Sequence, residues 1–228
     1  MYVNGVSALT ATVTNNIATF AARDFAKNDV VTVCGATATD SFTFTDTYNP
    51  FNGHDYVDLG LPSGTKWATM NIGASSETEY GNYYKYGSGA TQYVGNDDYY
   101  SGTENPLALS GDTARQVWGG AWHMPTSAQY QELIDNTDYE WTTINGVNGT
   151  KFTNKTDSTK YVFFPAGGSY NAVDYTLNNV GSIGIYFSST PNTNLNANIL
   201  YFYNFSNYNI SVTANTRKAG YTIRGVVG

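Results

Sequence analysis

The sequence predicts an α+β protein with few helices and long loops, preceded by a short all-β segment. Three observations indicate this class. Gly and Tyr are abundant, with 23 and 20 residues; many short runs of β-branched and aromatic residues lie between turn residues; and only two stretches have helical spacing. Charged residues make up 13% of 228, too few for a coiled coil or a disordered chain. A chain of this length can bury a core without disulfides.

The first 48 residues differ from the rest of the chain. Strand-like runs at residues 7–13, 17–21, 29–33 and 41–45 are separated by turn residues. Four such strands resemble part of an immunoglobulin-like sandwich, of which a complete example has about seven strands. We therefore predict a partial immunoglobulin-like segment at residues 1–48 and a main domain at residues 49–228. The single cysteine, Cys34, has no partner for an internal disulfide and is predicted to be a buried filler.

The main domain contains two predicted helices. A capping box of Thr126 and Gln129 follows Pro125, and it opens a helix over residues 127–136 whose apolar residues share one face. A shorter helix is predicted over residues 113–118. Strands are expected at residues 66–70, 150–153, 160–164, 185–188, 199–203 and 222–226.

One segment has an unusual composition. Residues 192–215 contain eight Asn in 24 positions, against 17 in the other 204. Asn favours turns over strands, yet the segment includes two strand-like runs, residues 199–203 and 210–212. Two interpretations remain open at this point: a loop-rich hairpin with polar outer positions, or a surface displayed for binding, because Asn, Tyr and Ser are the residues that antibody paratopes favour.

Composition also bears on partners and location. A net charge of −7 with only 11 scattered basic residues argues against nucleic acid and against an anionic membrane surface. No apolar run is long enough to predict membrane insertion, and no signal peptide is readable.

The sequence offers little for chemistry. The two histidines are His54 and His123, and no nucleophile, base and orienting group can be assembled from the spacing of the residues. We therefore predict that the protein is not an enzyme and has no cofactor. Histidine and cysteine are too few for a zinc site. Calcium ligands are conceivable at Asp97, Asp98 and Asp112, but a solvated loop is the better interpretation of these residues, and no metal site is predicted.

Five spaced motifs in the main domain resemble the C-type-lectin-like domains of gut bacteria and their phages. The motifs are residues 56–69, 118–126, 164–168, 185–190 and 220–226. The sequence departs from the family pattern at His123, where Arg is usual, at Phe187, where Trp is usual, and at Gly225, where Pro is usual. The resemblance implies a lectin-like fold over residues 53–228. The Glu-Pro-Asn and Gln-Pro-Asp motifs of calcium-dependent sugar sites are absent from the sequence.

The Asn-rich segment adds a second resemblance, to the variable proteins of diversity-generating retroelements. In that family the C-terminal end of a lectin-like domain is mutagenised at template adenines, which leaves Asn, Tyr, Ser, Thr and Ile at variable positions. The resemblance implies a variable ligand-binding surface near residues 185–215. Its members would be Ile185, Phe187, Asn192, Thr193, Asn194, Asn196, Asn198, Tyr201, Tyr203, Asn207, Tyr208, Asn209 and Asn215.

The resemblance implies a receptor or adhesin located on a phage tail, as part of the virion, or on a bacterial cell surface. Its partner would be a protein or glycan on a host or target cell. A fibre-tip location would favour a homotrimer, although the sequence fixes no oligomeric state. Two alternatives remain: a carbohydrate-binding adhesin without diversification, and a structural virion component whose Asn-rich segment is buried between subunits.

Overall fold

A computed structural model describes residues 51–205 and 207–228 in full and, within the first fifty residues, six strands. The chain divides into two compact units, Met1–Pro50 and Phe51–Gly228. The described residues are mostly β-sheet with two helices, which confirms an α+β class with few helices.

The strands that the structure describes in the first unit form two antiparallel sheets. The strands are Tyr2–Val3 (β1), Val6–Ser7 (β2), Val13–Thr14 (β3), Ile17–Ala18 (β4), Val30–Cys34 (β5) and Thr39–Thr43 (β6). A four-stranded sheet has the order β2-β1-β5-β6, and β3 pairs with β4. The immunoglobulin-like character of this unit stays a prediction, and the predicted burial of Cys34 lies outside the described side chains.

The second unit carries the other eleven strands and both helices. The helices are Thr113–Trp118 (α1) and Ser127–Asn136 (α2). The strands are Tyr56–Asp58 (β7), Lys66–Asn71 (β8), Thr137–Ile144 (β9), Val147–Asn154 (β10), Tyr161–Pro165 (β11), Ser169–Tyr170 (β12), Leu177–Asn178 (β13), Ile183–Pro191 (β14), Asn196–Asn204 (β15), Tyr208–Thr216 (β16) and Arg224–Val227 (β17).

The second unit is built from small antiparallel sheets. Three sheets have three strands each, in the orders β17-β8-β7, β11-β10-β9 and β14-β15-β16, and β12 pairs with β13. Both predicted helices are confirmed with the predicted bounds. The capping box of α2 is also present: the Thr126 hydroxyl accepts from the Gln129 amide at 3.2 Å, and the Gln129 side chain accepts from the Thr126 amide at 2.8 Å.

Two apolar clusters form the core of this unit, one on each side of the β14-β15-β16 sheet. One cluster gathers Trp118, Trp122 and Tyr221, and the other gathers Trp67, Tyr130 and further aromatic residues. Buried Arg224 joins three strands of this core. Its guanidinium donates to the carbonyl of Ala68 at 2.9 Å and to the carbonyl of Phe163 at 2.6 Å. Arg224 thus links β17 to β8 and β11 within the core.

Candidate functional site

The Asn-rich segment forms the hairpin β15-β16 of the three-stranded sheet. All nine residues of β15 pair with all nine of β16, from Asn196 opposite Thr216 to Asn204 opposite Tyr208. Side chains alternate between the two faces of a strand. One face of this sheet carries Tyr186, Leu200 and Phe202, all fully buried in the second apolar cluster.

The opposite face changes from core to solvent across the sheet. On β14 its side chains are buried, on β15 Tyr201 and Tyr203 are half-buried, and on β16 Asn209 and Thr213 are exposed. We call the open part of this face, together with the loop before β15, the display face. Its members are residues 192–195, Tyr201, Tyr203, Asn209, Ser211, Thr213 and Asn215.

The prediction that Ile185 and Phe187 belong to a variable surface is wrong, because both side chains lie in the core. Ile185 is 6% exposed and Phe187 is 0% exposed. The Phe187 ring lies 4.6 Å from that of Tyr221 and 5.7 Å from that of Tyr86. Strand β14 has neighbours on both edges: it pairs with β15 along one, and on the other the Phe187 amide donates to the Thr222 carbonyl at 3.3 Å.

The loop between β14 and β15 is exposed but tightly bonded. Asn192, Thr193 and Asn194 are exposed. The Thr193 hydroxyl accepts from the amides of Leu195 and Asn196, at 3.2 and 3.0 Å, a local bond that fixes a turn. The carbonyl of Asn196, which is half-buried, accepts from the amides of Asn192 and Thr193. The predicted loop residues therefore sit on a defined backbone.

Arg217 anchors this loop from below. Its side chain is fully buried. The guanidinium donates to the carbonyl of Asn196 at 3.0 Å, and to the carbonyls of Tyr100 and Gly102 at 3.0 and 2.7 Å. It also lies 4.5 Å from the centre of the Tyr86 ring. The role of Arg217 could not be predicted from the sequence, because nothing near this residue along the chain indicates which carbonyls it will bind.

Besides Ile185 and Phe187, four predicted residues lie away from the display face. Asn196, Asn198 and Tyr208 alternate onto the other face of the sheet, and Asn207 is exposed at the hairpin tip. Tyr208 packs against the neighbouring sheet, with its hydroxyl 3.1 Å from that of Thr150 and its ring 6.0 Å from that of Tyr139. The placement of Asn196, Asn198 and Tyr208 on one surface with Tyr201 is therefore wrong. Conversely, Ser211 and Thr213 lie on the display face but were not predicted to belong to it. Side chains of a strand alternate between its faces, so the prediction of Asn209 should have extended to these two residues.

Two aromatic rings lie on the β15 side of the display face, and a third follows just beyond the end of β15. Tyr201 and Tyr203 lie two residues apart on β15, with ring centres 5.4 Å apart, and the ring of Phe205 follows at 5.7 Å from Tyr203. Phe205 is 63% exposed. Burial, with a smaller contribution from Tyr203, raises the pKa of Tyr201. The phenol therefore stays neutral through the physiological pH range.

The display face carries no formal charge. From Tyr175 to Thr216 the sequence has no Asp, Glu, Lys, Arg or His. After β16, the next charged residue at the surface is Lys218, whose ammonium group lies 3.8 Å from the Asp97 carboxylate. The face is therefore suited to a partner recognised by aromatic contact and neutral hydrogen bonds.

The groups considered for metal binding or catalysis have structural contacts. Buried Asp112 caps α1 by accepting from the Arg115 amide at 2.9 Å, and it accepts from the Met124 amide through both oxygens. The His54 ring stacks on Trp118 at 4.1 Å, and burial lowers the pKa of this histidine. Within the described residues, no three His, Cys, Asp or Glu side chains are grouped to hold a metal ion.

Comparison with known proteins gave no match among family models, curated proteins or solved structures. Among the described residues, neither helix has the length and apolar character needed to cross a membrane. The geometry of the display face therefore carries the functional argument.

Proposed function

We propose that this protein is a binding protein, a receptor or adhesin that recognises a protein or glycan on a target cell through the display face. The observation that carries the proposal is the transition of one sheet face from core at β14, through half-buried Tyr201 and Tyr203 on β15, to uncharged Asn, Ser and Thr on β16. Tyr supplies large contact area with few torsions to fix, and Asn and Ser supply adaptable hydrogen bonds.

Along β15 and β16, the backbone beneath the display face is held mostly by groups other than its exposed side chains. The continuous pairing of β15 with β16 uses main-chain groups. On the other face of the sheet, Leu200 and Phe202 are buried in the second apolar cluster, and Ile210 and Val212 pack against it. Exposed side chains away from special contacts usually change stability by no more than about 0.5 kcal/mol. Such a face tolerates many side-chain sets, which is what diversification of a binding surface requires.

We therefore propose, with the resemblance described above, that the second unit is a C-type-lectin-like scaffold diversified by a retroelement. A phage tail tip or a bacterial cell surface would be its location. Since the display face is narrower than residues 185–215, diversification is expected only at some codons of this segment. The codons of Leu200 and Phe202, which are fully buried, should be constant.

DNA sequence around the gene tests diversification directly. We expect a near-copy of the codons for residues 180–228, beside a reverse-transcriptase gene, that differs where the copy carries adenine. The differences should fall in the codons of the display face. A near-copy that differs mainly at codons of buried residues, or an identical segment in every isolate with no copy nearby, would contradict diversification and favour a fixed adhesin.

Substitution of exposed display-face residues tests binding. We expect the triple variant Asn194→Ala, Asn209→Ala, Thr213→Ala to lose most adhesion of the labelled protein to target cells, identified by screening bacterial strains with the wild type. Its melting temperature should stay within a few degrees, because all three side chains are exposed. The control Thr103→Ala, Asn136→Ala removes exposed polar groups elsewhere and should bind normally. Equal adhesion by both variants would refute the assignment of the display face.

A further inference from the structure

Strand β16 is an edge strand without the usual protection. Among the strands that the structure describes, the order β14-β15-β16 leaves the outer side of β16 unpaired. Natural edge strands are commonly blunted by charged residues, Pro or short length, because an open edge pairs with other chains. Residues 208–216 form nine residues of regular strand and contain neither a charged residue nor Pro.

The register identifies the main-chain groups that point away from β15. The Arg217 amide donates to the Leu195 carbonyl at 2.9 Å, just beyond the end of the strands. Hydrogen-bonded pairs recur at every second residue of an antiparallel ladder, so Asn209, Ser211, Thr213 and Asn215 bond to β15. The amides and carbonyls of the residues between them point outward.

These outward groups have no partner in the described part of the second unit. Within residues 51–205 and 207–228, no hydrogen bond reaches the main chain of residues 208–215 from any element other than β15. The outward groups include both the N–H and the C=O of Val212 and Ala214. An extended segment of another chain would satisfy them by continuing the sheet.

The side chains of β16 are self-complementary about Val212. In a two-fold antiparallel pairing centred there, Ser211 faces Thr213 of the other copy, and Asn209 faces Asn215. On the other face Val212 meets itself and Ile210 meets Ala214. Hydroxyl pairs, amide pairs and apolar pairs each stabilise cross-strand contacts, and no like charges oppose one another.

We propose that a second copy of this chain pairs with β16 through its own β16, giving a six-stranded sheet of order β14-β15-β16-β16-β15-β14. Because the two-fold axis is perpendicular to the sheet, both display faces lie on the same side. The dimer would present one continuous, uncharged surface twice the width of a single display face. This inference does not depend on the proposed ligand.

Sedimentation velocity of the full chain over a wide concentration range tests the pairing. We expect a reversible monomer–dimer equilibrium. Ala214→Pro removes an outward N–H from an exposed position without breaking a bond to β15, and should weaken the dimer at least about tenfold, since two hydrogen bonds are lost per dimer. The matched control Ala214→Thr keeps the N–H and should dimerise like the wild type.

A charge-exchange experiment tests the register and does not rely on proline. The double variants Ser211→Lys, Thr213→Lys and Ser211→Glu, Thr213→Glu each place like charges opposite one another in the proposed pairing. Each variant alone should be monomeric, and an equimolar mixture should form a heterodimer. Circular dichroism spectra like that of the wild type would show that the variants are folded.

Three results would overturn the proposal. The first is that the wild type stays monomeric at every concentration. The second is that Ala214→Pro and both charge variants still dimerise like the wild type. The third is that the two charge variants form no heterodimer when mixed. These assays contain no ligand, so they are separate from the adhesion test. If the triple alanine variant loses adhesion but the wild type never dimerises, the proposed function stands and only the proposed dimer is refuted.

Discussion

Phe187→Ala is expected to lower the free energy of unfolding by about 3–5 kcal/mol, the usual cost of deleting a buried phenyl ring. Phe187 is fully buried and packs between Tyr86 and Tyr221. Its removal leaves a cavity at the point where β14 meets the first apolar cluster. Urea denaturation monitored by tryptophan fluorescence would measure the loss.

The matched control for this substitution is Thr213→Ala, on the same face of the sheet but two strands away. Thr213 is exposed, so the expected change in unfolding free energy is within about 0.5 kcal/mol. The contrast tests the boundary between core and display face. If Phe187→Ala were as harmless as Thr213→Ala, the assignment of Phe187 to the core would be wrong and the motif-based assignment to the variable surface would regain support.

Arg217→Met is expected to cost about 2–4 kcal/mol of unfolding free energy and to release the loop of the display face. The substitution removes the donors to the part-buried carbonyls of Tyr100 and Gly102, and a polar group left without its partner away from water costs about 1–3 kcal/mol. It also removes the hydrogen bond to Asn196 beneath the loop. Urea denaturation measures the global cost, and amide hydrogen exchange at Leu195 and Asn196 measures the local one.

Arg217→Lys is the informative companion variant. Lysine keeps the charge but lacks the planar fork that reaches several carbonyls at once, so it should recover only part of the stability. Faster exchange at the loop, with β16 amides unchanged, would confirm that Arg217 holds the loop in place. Exchange rates at Leu195 and Asn196 equal to those of the wild type in both variants would contradict this positioning role.

Local signals in the sequence predicted the helices well. Strands that form through pairing with distant segments were predicted less well. The bounds of α2 follow from Thr126 and Gln129, which contact each other within one turn. Strand β9 was missed although Tyr139 and Trp141 alternate with Asp138 and Glu140, because Asp and Glu have low strand propensity. That strand forms because β10 pairs with all eight of its residues, and single-sequence patterns do not report such pairing.

In the candidate site, too, local features were predicted and features that depend on distant residues were not. The strand at residues 199–203 was expected, and alternation along it correctly separates Tyr201 from Phe202. The burial of Ile185 and Phe187 was not predictable, because it is caused by Tyr86 and Tyr221, which are distant in sequence. The role of Arg217 likewise depends on loop carbonyls more than 100 residues away along the chain.

The absence of charge between Tyr175 and Thr216 has a kinetic consequence. The contact surface itself supplies no electrostatic steering, and protein association without steering typically proceeds at about 10⁵–10⁶ M⁻¹s⁻¹. Capture of a target by this face would therefore be governed by collision frequency, and strong attachment would have to come from slow dissociation. Several copies of the protein on one particle would lengthen the attachment time further. When one copy dissociates, the copies that remain bound keep it close to the target surface until it binds again.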